Sequence, residues 1–138
     1  MAHPTLLALL GYIGWTLALL VAIVAQRTVL TLSGVRIANS FLPDGSEGSA
    51  LAARLCRAHA NCIETFPLFA GLLLIALITD QTALTDGTAL WALGARLGQS
   101  VTHIASTRVC AVHVRFTFFA VQLGLLALWA SRLIAAAI

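Results

Sequence analysis

The feature that most restricts this chain is a run of twenty residues, Leu6 to Ala25, that carries no charged side chain. A helix needs roughly 20 apolar residues to cross the hydrocarbon core of a bilayer, so the run has the length of one span. Three further apolar stretches follow. The four predicted helices, about 5–32, 49–79, 88–107 and 109–137, use up nearly all of the 138 residues and leave no room for a separate soluble domain. Residues 1–138 are therefore expected to form one membrane domain. Lipid admits few alternatives: backbone polar groups must be satisfied internally, and the chain has no repeated ten-residue alternation of the kind barrel strands need. The fold expected is all-α, an integral membrane four-helix bundle. The first run is not expected to be a cleaved signal, because its leader, Met-Ala-His-Pro, lacks a basic region and the run exceeds a typical signal core.

Composition agrees, with 60% hydrophobic and only 9% charged residues, far from the balance of a soluble domain. The net charge of +3 comes from eight arginines and no lysine, and the placement of the arginines is informative. Arg36 lies in the first loop with Arg27, Arg54 and Arg57 on its flanks, and Arg108 and Arg115 flank the third. The second loop has Asp80 and Asp86 and no cation. The excess of arginine puts loops one and three in the cytoplasm and both termini outside, with Arg132 the one exception, in what is expected to be the cell inner membrane. The arginines are dispersed along helix ends, so no nucleic-acid-binding patch is expected. Cys56, Cys62 and Cys110 form no CxxC pair, and their odd number prevents complete pairing within one chain. They are expected to fill helix contacts, and no metal site is predicted.

The longest non-apolar segment is residues 33–49, where Pro43, Asp44 and Gly45 signal a turn. Ser46 or Ser49 is expected to cap the second helix, and Asp86, followed by Gly87 and Thr88, the third. Short connections near residues 80–87 and at Arg108 favour antiparallel neighbours in an up-down-up-down bundle.

The second helix carries the chemistry. Arg54, Arg57, Asn61 and Glu64 are separated by three, four and three residues, which places all four on one helical face. That face is expected to look into the bundle or toward a neighbouring subunit. At about 1.5 Å rise per residue, Glu64 lies roughly 24 Å from Asp80, deep enough that an acidic group needs a partner or a function. Arg96 in the third helix is the expected partner. Arg96, Gln99 and His103 repeat the same spacing, so two polar stripes are expected to border a cleft. Pro67 lies just beyond Glu64, where it frees the carbonyl of Ile63. Arginines at the cytoplasmic mouth, Arg27, Arg57 and Arg115, favour an anion bearing carboxylates. Asn61 offers both a donor and an acceptor, and Glu64 suits an ammonium or amide N–H. A small zwitterionic or peptide-like carboxylate fits, with a second, apolar substrate arriving from the bilayer.

The segment Arg54 to Pro67, RLCRAHANCIETFP, resembles the signature of the MAPEG family, membrane-associated proteins in eicosanoid and glutathione metabolism. The pattern R-A-H-x-N-x-x-E-x-x-P in a second transmembrane helix carries the resemblance. It implies a homotrimer of four-helix subunits with glutathione, a co-substrate, held between adjacent subunits near the cytoplasmic side. Position by position, Arg57, Asn61 and Glu64 match the family's glutathione contacts and Arg96 its third-helix arginine. Arg115 matches the arginine placed by the sulfur, where its charge favours thiolate. The chain departs from prostaglandin-synthase-like members at Ala60, where they carry arginine, at Gln99, where they have histidine, and at His103, where a tyrosine contacts glutathione. Phe116 replaces a serine that often follows the sulfur-side arginine.

The resemblance implies a glutathione-dependent transferase or peroxidase acting on lipophilic electrophiles. The alternative is a non-catalytic member that binds lipid or a partner protein. A small proton-coupled exporter fits the size but not the uncharged first helix, where such exporters carry their acid.

Overall fold

The computed structural model describes residues 3–46 and 48–138. Four α-helices follow in order, α1 (Pro4–Leu32), α2 (Ala50–Ile78), α3 (Asp86–Ala105) and α4 (Val109–Ala137), with short 3₁₀ turns at Ala38–Ser40 and Thr82–Leu84 and no strand among the described residues. Pro4 sits in the first turn of α1, where its missing N–H costs nothing. Ser49 caps α2, its Oγ accepting from the Ala52 amide at 3.2 Å. Pro67 lies inside α2, which continues through it to Ile78.

Asp86 does not act as expected from sequence. It is the first residue of α3, whose own start has no side-chain cap. Its Oδ1 instead accepts from the Thr5 amide at 3.0 Å and from the Thr5 hydroxyl at 2.6 Å. The carboxylate therefore satisfies a free N–H in the first turn of α1, where negative charge is also favoured by the helix dipole. This clamp fixes α1 and α3 side by side at their starts. Arg54 Nε donates to the Ile104 carbonyl at 2.6 Å, tying the start of α2 to the end of α3. Trp129 Nε1 donates to Thr88 Oγ1 at 2.8 Å, tying the end of α4 to the start of α3. The bundle runs up, down, up, down.

α1, α2 and α4 are each long and apolar enough to cross a membrane. α3, which the sequence also presents as a span, has 20 residues and is less apolar. It buries Arg96, Gln99 and Ser100 against its neighbours. The three apolar helices leave residues such as Leu17, Val21 and Leu123 on the outside, as lipid contact requires. The core is built from Ala8, Leu9 and Tyr12 of α1, Ala58, Cys62, Phe69 and Leu73 of α2, Ala89 and Ala92 of α3, and Leu126 and Trp129 of α4. Alanines at the crossings let the backbones approach, which is the main source of helix association where lipid removes the hydrophobic drive. Cys62 lies within this core, with Sγ 3.7 Å from Ser100 Oγ. All three cysteines are free, and Cys110 is exposed.

Gly98 is required by the closeness of α3 and α4, since a Cβ there would stand 2.7 Å from Phe118 Cζ. Gly98→Ala is expected to lower stability by about 1–3 kcal/mol through this overlap. Thermal unfolding in detergent measures it, and an unchanged midpoint would mean that the Phe118 ring swings aside freely.

The loop between α1 and α2 is held by its own polar groups. Asp44 Oδ1 accepts from the Ser46 amide at 3.1 Å and from its hydroxyl at 2.8 Å. The Ser46 amide, more than any other group, keeps the Asp44 carboxyl below the usual carboxylate range. Gly45 follows with φ of 70° and packs against the Ala52 carbonyl, a place where a Cβ would fit neither the backbone conformation nor the space.

Candidate functional site

Residues one apart on a helix point about 100° apart, so the two neighbours of each polar residue in α2 face elsewhere. Ala58 and Cys62 face inward and are buried, whereas Arg57 and Glu64 are exposed on the surface of the single chain. The polar stripe thus lies beside the packed seam of the bundle rather than within it. The stripe does not enter the packed interior of the bundle, where Ala58 and Cys62 lie, but is set on the outside of the single chain.

The stripe forms one wall of a groove of about 430 Å³, lined by Arg57, Asn61 and Glu64 of α2, Gln99 and His103 of α3, and Val112, Arg115, Phe116 and Phe119 of α4. Its size is within the range of small-molecule sites, about 300–1,000 Å³. Val112, Phe116 and Phe119 of α4 add apolar surface to a lining that is otherwise polar. Asn61 Nδ2 stands 3.3 Å from His103 Nδ1, so the two stripes meet across the floor. The described residues give Glu64 no ion pair and no hydrogen bond, and Arg57 and Arg115 share the groove with that one carboxylate. The wall is a cationic surface with one acidic contact point, suited to a ligand that is anionic overall yet carries an ammonium or amide N–H.

The expected Glu64–Arg96 pair is not formed. Arg96 is only 1% exposed and lies behind the groove wall rather than in it. Its Nη1 donates to Thr65 Oγ1 and to Gln99 Oε1, both at 3.1 Å, and its guanidinium stands 5.6 Å from the centre of the Tyr12 ring. The reason is rotational: α3 turns position 96 toward Tyr12 of α1 and Thr65 of α2, the latter one residue round the helix from Glu64. Nε and Nη2 of Arg96 are buried without a hydrogen-bond partner among the described residues.

Arg27 also stands apart from the groove. Its Nη2 donates to the Leu42 carbonyl at 2.6 Å and its guanidinium sits 5.4 Å from the Phe41 ring centre. It lines a separate recess of about 360 Å³ with Thr28, Thr31 and Phe41. Ala60, where arginine stands in prostaglandin-synthase-like members, is exposed on α2 and does not line the groove.

Several residues that serve the site had no role assigned from sequence. Gln122 of α4 is buried and donates from Nε2 to Gln99 Oε1 at 2.9 Å. Tyr12 donates to the Cys62 carbonyl at 3.0 Å and stands 2.7 Å from Thr65 Oγ1, which brings Thr65 within reach of Arg96. Gln122 was detectable: it is the one amide side chain in α4, and a lone polar residue in an apolar span calls for an interhelical partner. Tyr12 carries the same kind of signal, being the one tyrosine of the chain and set in an uncharged span, whereas Phe119 carries none, being indistinguishable by sequence from the other phenylalanines in apolar helices.

Neither a curated protein nor a solved structure matches the chain. The model of the MAPEG family matches residues 5–135, a stretch that takes in all the groove residues and nearly the whole chain, and the protein belongs to that family.

Proposed function

We propose that the protein is a glutathione-dependent membrane transferase or peroxidase acting on lipophilic electrophiles. The observation that carries this reading is the convergence of Arg57, Asn61, Glu64, Gln99, His103 and Arg115 on one groove whose lining also includes the apolar side chains of Phe116 and Phe119. Glutathione has two carboxylates, one ammonium, two amides and a thiol. Arg57 takes a carboxylate, Glu64 the ammonium, and Asn61, with its donor and acceptor, an amide. Arg115, which lines the groove together with Phe116 and Phe119, is the residue this reading sets beside the thiol as it meets an electrophile dissolved in lipid. Its charge favours thiolate, which is the nucleophilic form.

Arg57 and Glu64 are exposed on one chain, and charges at membrane depth are costly unless covered. In this reading a homotrimer covers them, with glutathione between subunits and Arg27 contributing across the subunit boundary. Arg96 supports the wall from behind. Arg57, His103 and Val112 of the groove lie near the ends of their helices that adjoin the first and third loops, which this reading assigns to the cytoplasm, where glutathione is abundant.

Calorimetric titration of the purified oligomer with glutathione tests the site. Saturable binding is expected, weakened at least tenfold by Arg57→Ala, since a hydrogen bond to a charged group contributes about 1.5–3 kcal/mol. Glu64→Gln is expected to weaken it less, because one acceptor oxygen remains. No binding by the parent protein, or equal binding by Arg57→Ala, overturns the reading. A second reading, a non-catalytic lipid- or partner-binding protein, draws on Phe116, which is 69% exposed where catalytic relatives often have serine. Normal glutathione binding without a thiolate absorbance band would favour it.

A further inference from the structure

The groove wall contains an amide whose orientation is set from behind by two independent donors. An asparagine or glutamine side chain can present either end to a ligand, and which end it presents is decided by its hydrogen-bond network. At Gln99 that network leaves no choice. Arg96 Nη1 lies 3.1 Å from the inner atom of the amide, and a guanidinium can only donate. Gln122 approaches the same atom at 2.9 Å. The Gln122 nitrogen is identified in turn by its second contact, the Phe118 carbonyl at 3.0 Å, which can only accept. Both neighbours are therefore donors, and the atom between them must be Oε1.

Gln99 Nε2 is then the outer end of the amide. Among the described residues it has no hydrogen-bond partner, yet it is not among the buried orphaned atoms, and Gln99 lines the groove while keeping 8% of its surface exposed. We propose that Gln99 presents Nε2 to the groove as a fixed hydrogen-bond donor, with Arg96 and Gln122 as the positioning residues that prevent it from turning. The groove consequently selects a ligand with an acceptor at this point, a carboxylate, carbonyl or thiolate, and disfavours one with an N–H or O–H donor there. A free amide adapts to either kind of ligand by turning over, and this one does not. The identity of the ligand as glutathione rests on the function proposed above, whereas the direction of the amide does not.

Two measurements separate these levels. The first needs no ligand: hydrogen exchange of the glutamine side-chain amides in the nitrogen-15-labelled oligomer in detergent, with Gln99 assigned from the signal lost in Gln99→Met. Fast exchange is expected for Gln99 and slow exchange for Gln122, whose amide is held between Gln99 and Phe118. Protected Gln99 amide protons would overturn the proposal. The second measurement is glutathione titration of Gln99→Glu and Gln99→Met. The introduced carboxylate keeps an acceptor for Arg96 and Gln122, so the Gln99→Glu variant is expected to unfold at or above the parent temperature. It nevertheless turns an oxygen toward the ligand's acceptor, and affinity should fall at least tenfold. Gln99→Met, which removes the donor without adding a repelling oxygen, should lose only a few-fold. Parent-like affinity in Gln99→Glu would overturn the proposal. A parent protein that binds no glutathione would instead defeat the functional reading, while the exchange rates still decide the direction of the amide.

Discussion

Trp129→Ala is expected to destabilise the bundle by about 3 kcal/mol, the lower end of what aromatic deletions from a core cost. Trp129 is fully buried, and its indole donates to Thr88 at 2.8 Å. Its ring meets Phe69 edge-on with centroids 5.7 Å apart, and Phe69 in turn lies 4.6 Å from Tyr12. This aromatic chain joins α4, α2 and α1 across the middle of the subunit. Deleting its first member removes the dispersion contacts on one side of Phe69 and leaves the Thr88 hydroxyl without its donor. The lower figure applies because both folded and unfolded helices remain in an apolar medium, so the loss is one of packing rather than of transfer from water. Trp129→Phe should recover more than half of it. Unfolding in a denaturing detergent titration reads the difference, and equal resistance of Trp129→Ala and parent would mean that neighbouring side chains collapse into the space.

Arg115→Ala is expected to reduce turnover of glutathione with a lipophilic electrophile by about 10²–10³, the usual loss when one preorganised charge is removed from a developing anion. Arg115 lines the groove together with Phe116 and Phe119. In the function proposed above, a guanidinium there acts on the sulfur as it ionises, while Arg57 takes a carboxylate and Glu64 the ammonium. Affinity for glutathione should therefore change only a few-fold, and the thiolate absorbance of the complex should disappear. Arg115→Lys restores the charge without the planar fork and should recover part of the rate. Parent-like turnover in Arg115→Ala would remove this residue from the chemistry.

The sequence revealed the parts of this structure that are governed by local rules. An uncharged run and a hydroxyl before α2 mark helices by composition and capping, and Ser49 does cap where its position suggests. The three-four-three spacing of Arg54, Arg57, Asn61 and Glu64 allowed one face to be assigned before any packing was known. It did not disclose how that helix is rotated. Arg54 turns to the Ile104 carbonyl instead of the groove, and Arg96 turns to Tyr12 and Thr65 instead of Glu64. Rotation about a helix axis is decided by which small residues lie at the crossings, here Ala58, Ala89 and Ala92, and alanines occur on every face of these helices. Asp86 was misread for a similar reason. Its position before a helix is the local signal for a cap, but the group it satisfies is 81 residues away in sequence.

That distant clamp bears on how the protein is made. α1 precedes α3 in the chain, so the carboxylate that closes its first turn, Asp86, is made after it. Until α3 packs beside α1, the Thr5 amide lacks its protein acceptor, and the nascent chain has a built-in marker of incompleteness. Final locking of α1 waits on a later segment, so a product truncated short of residue 86 differs chemically from the longer subunit at that turn.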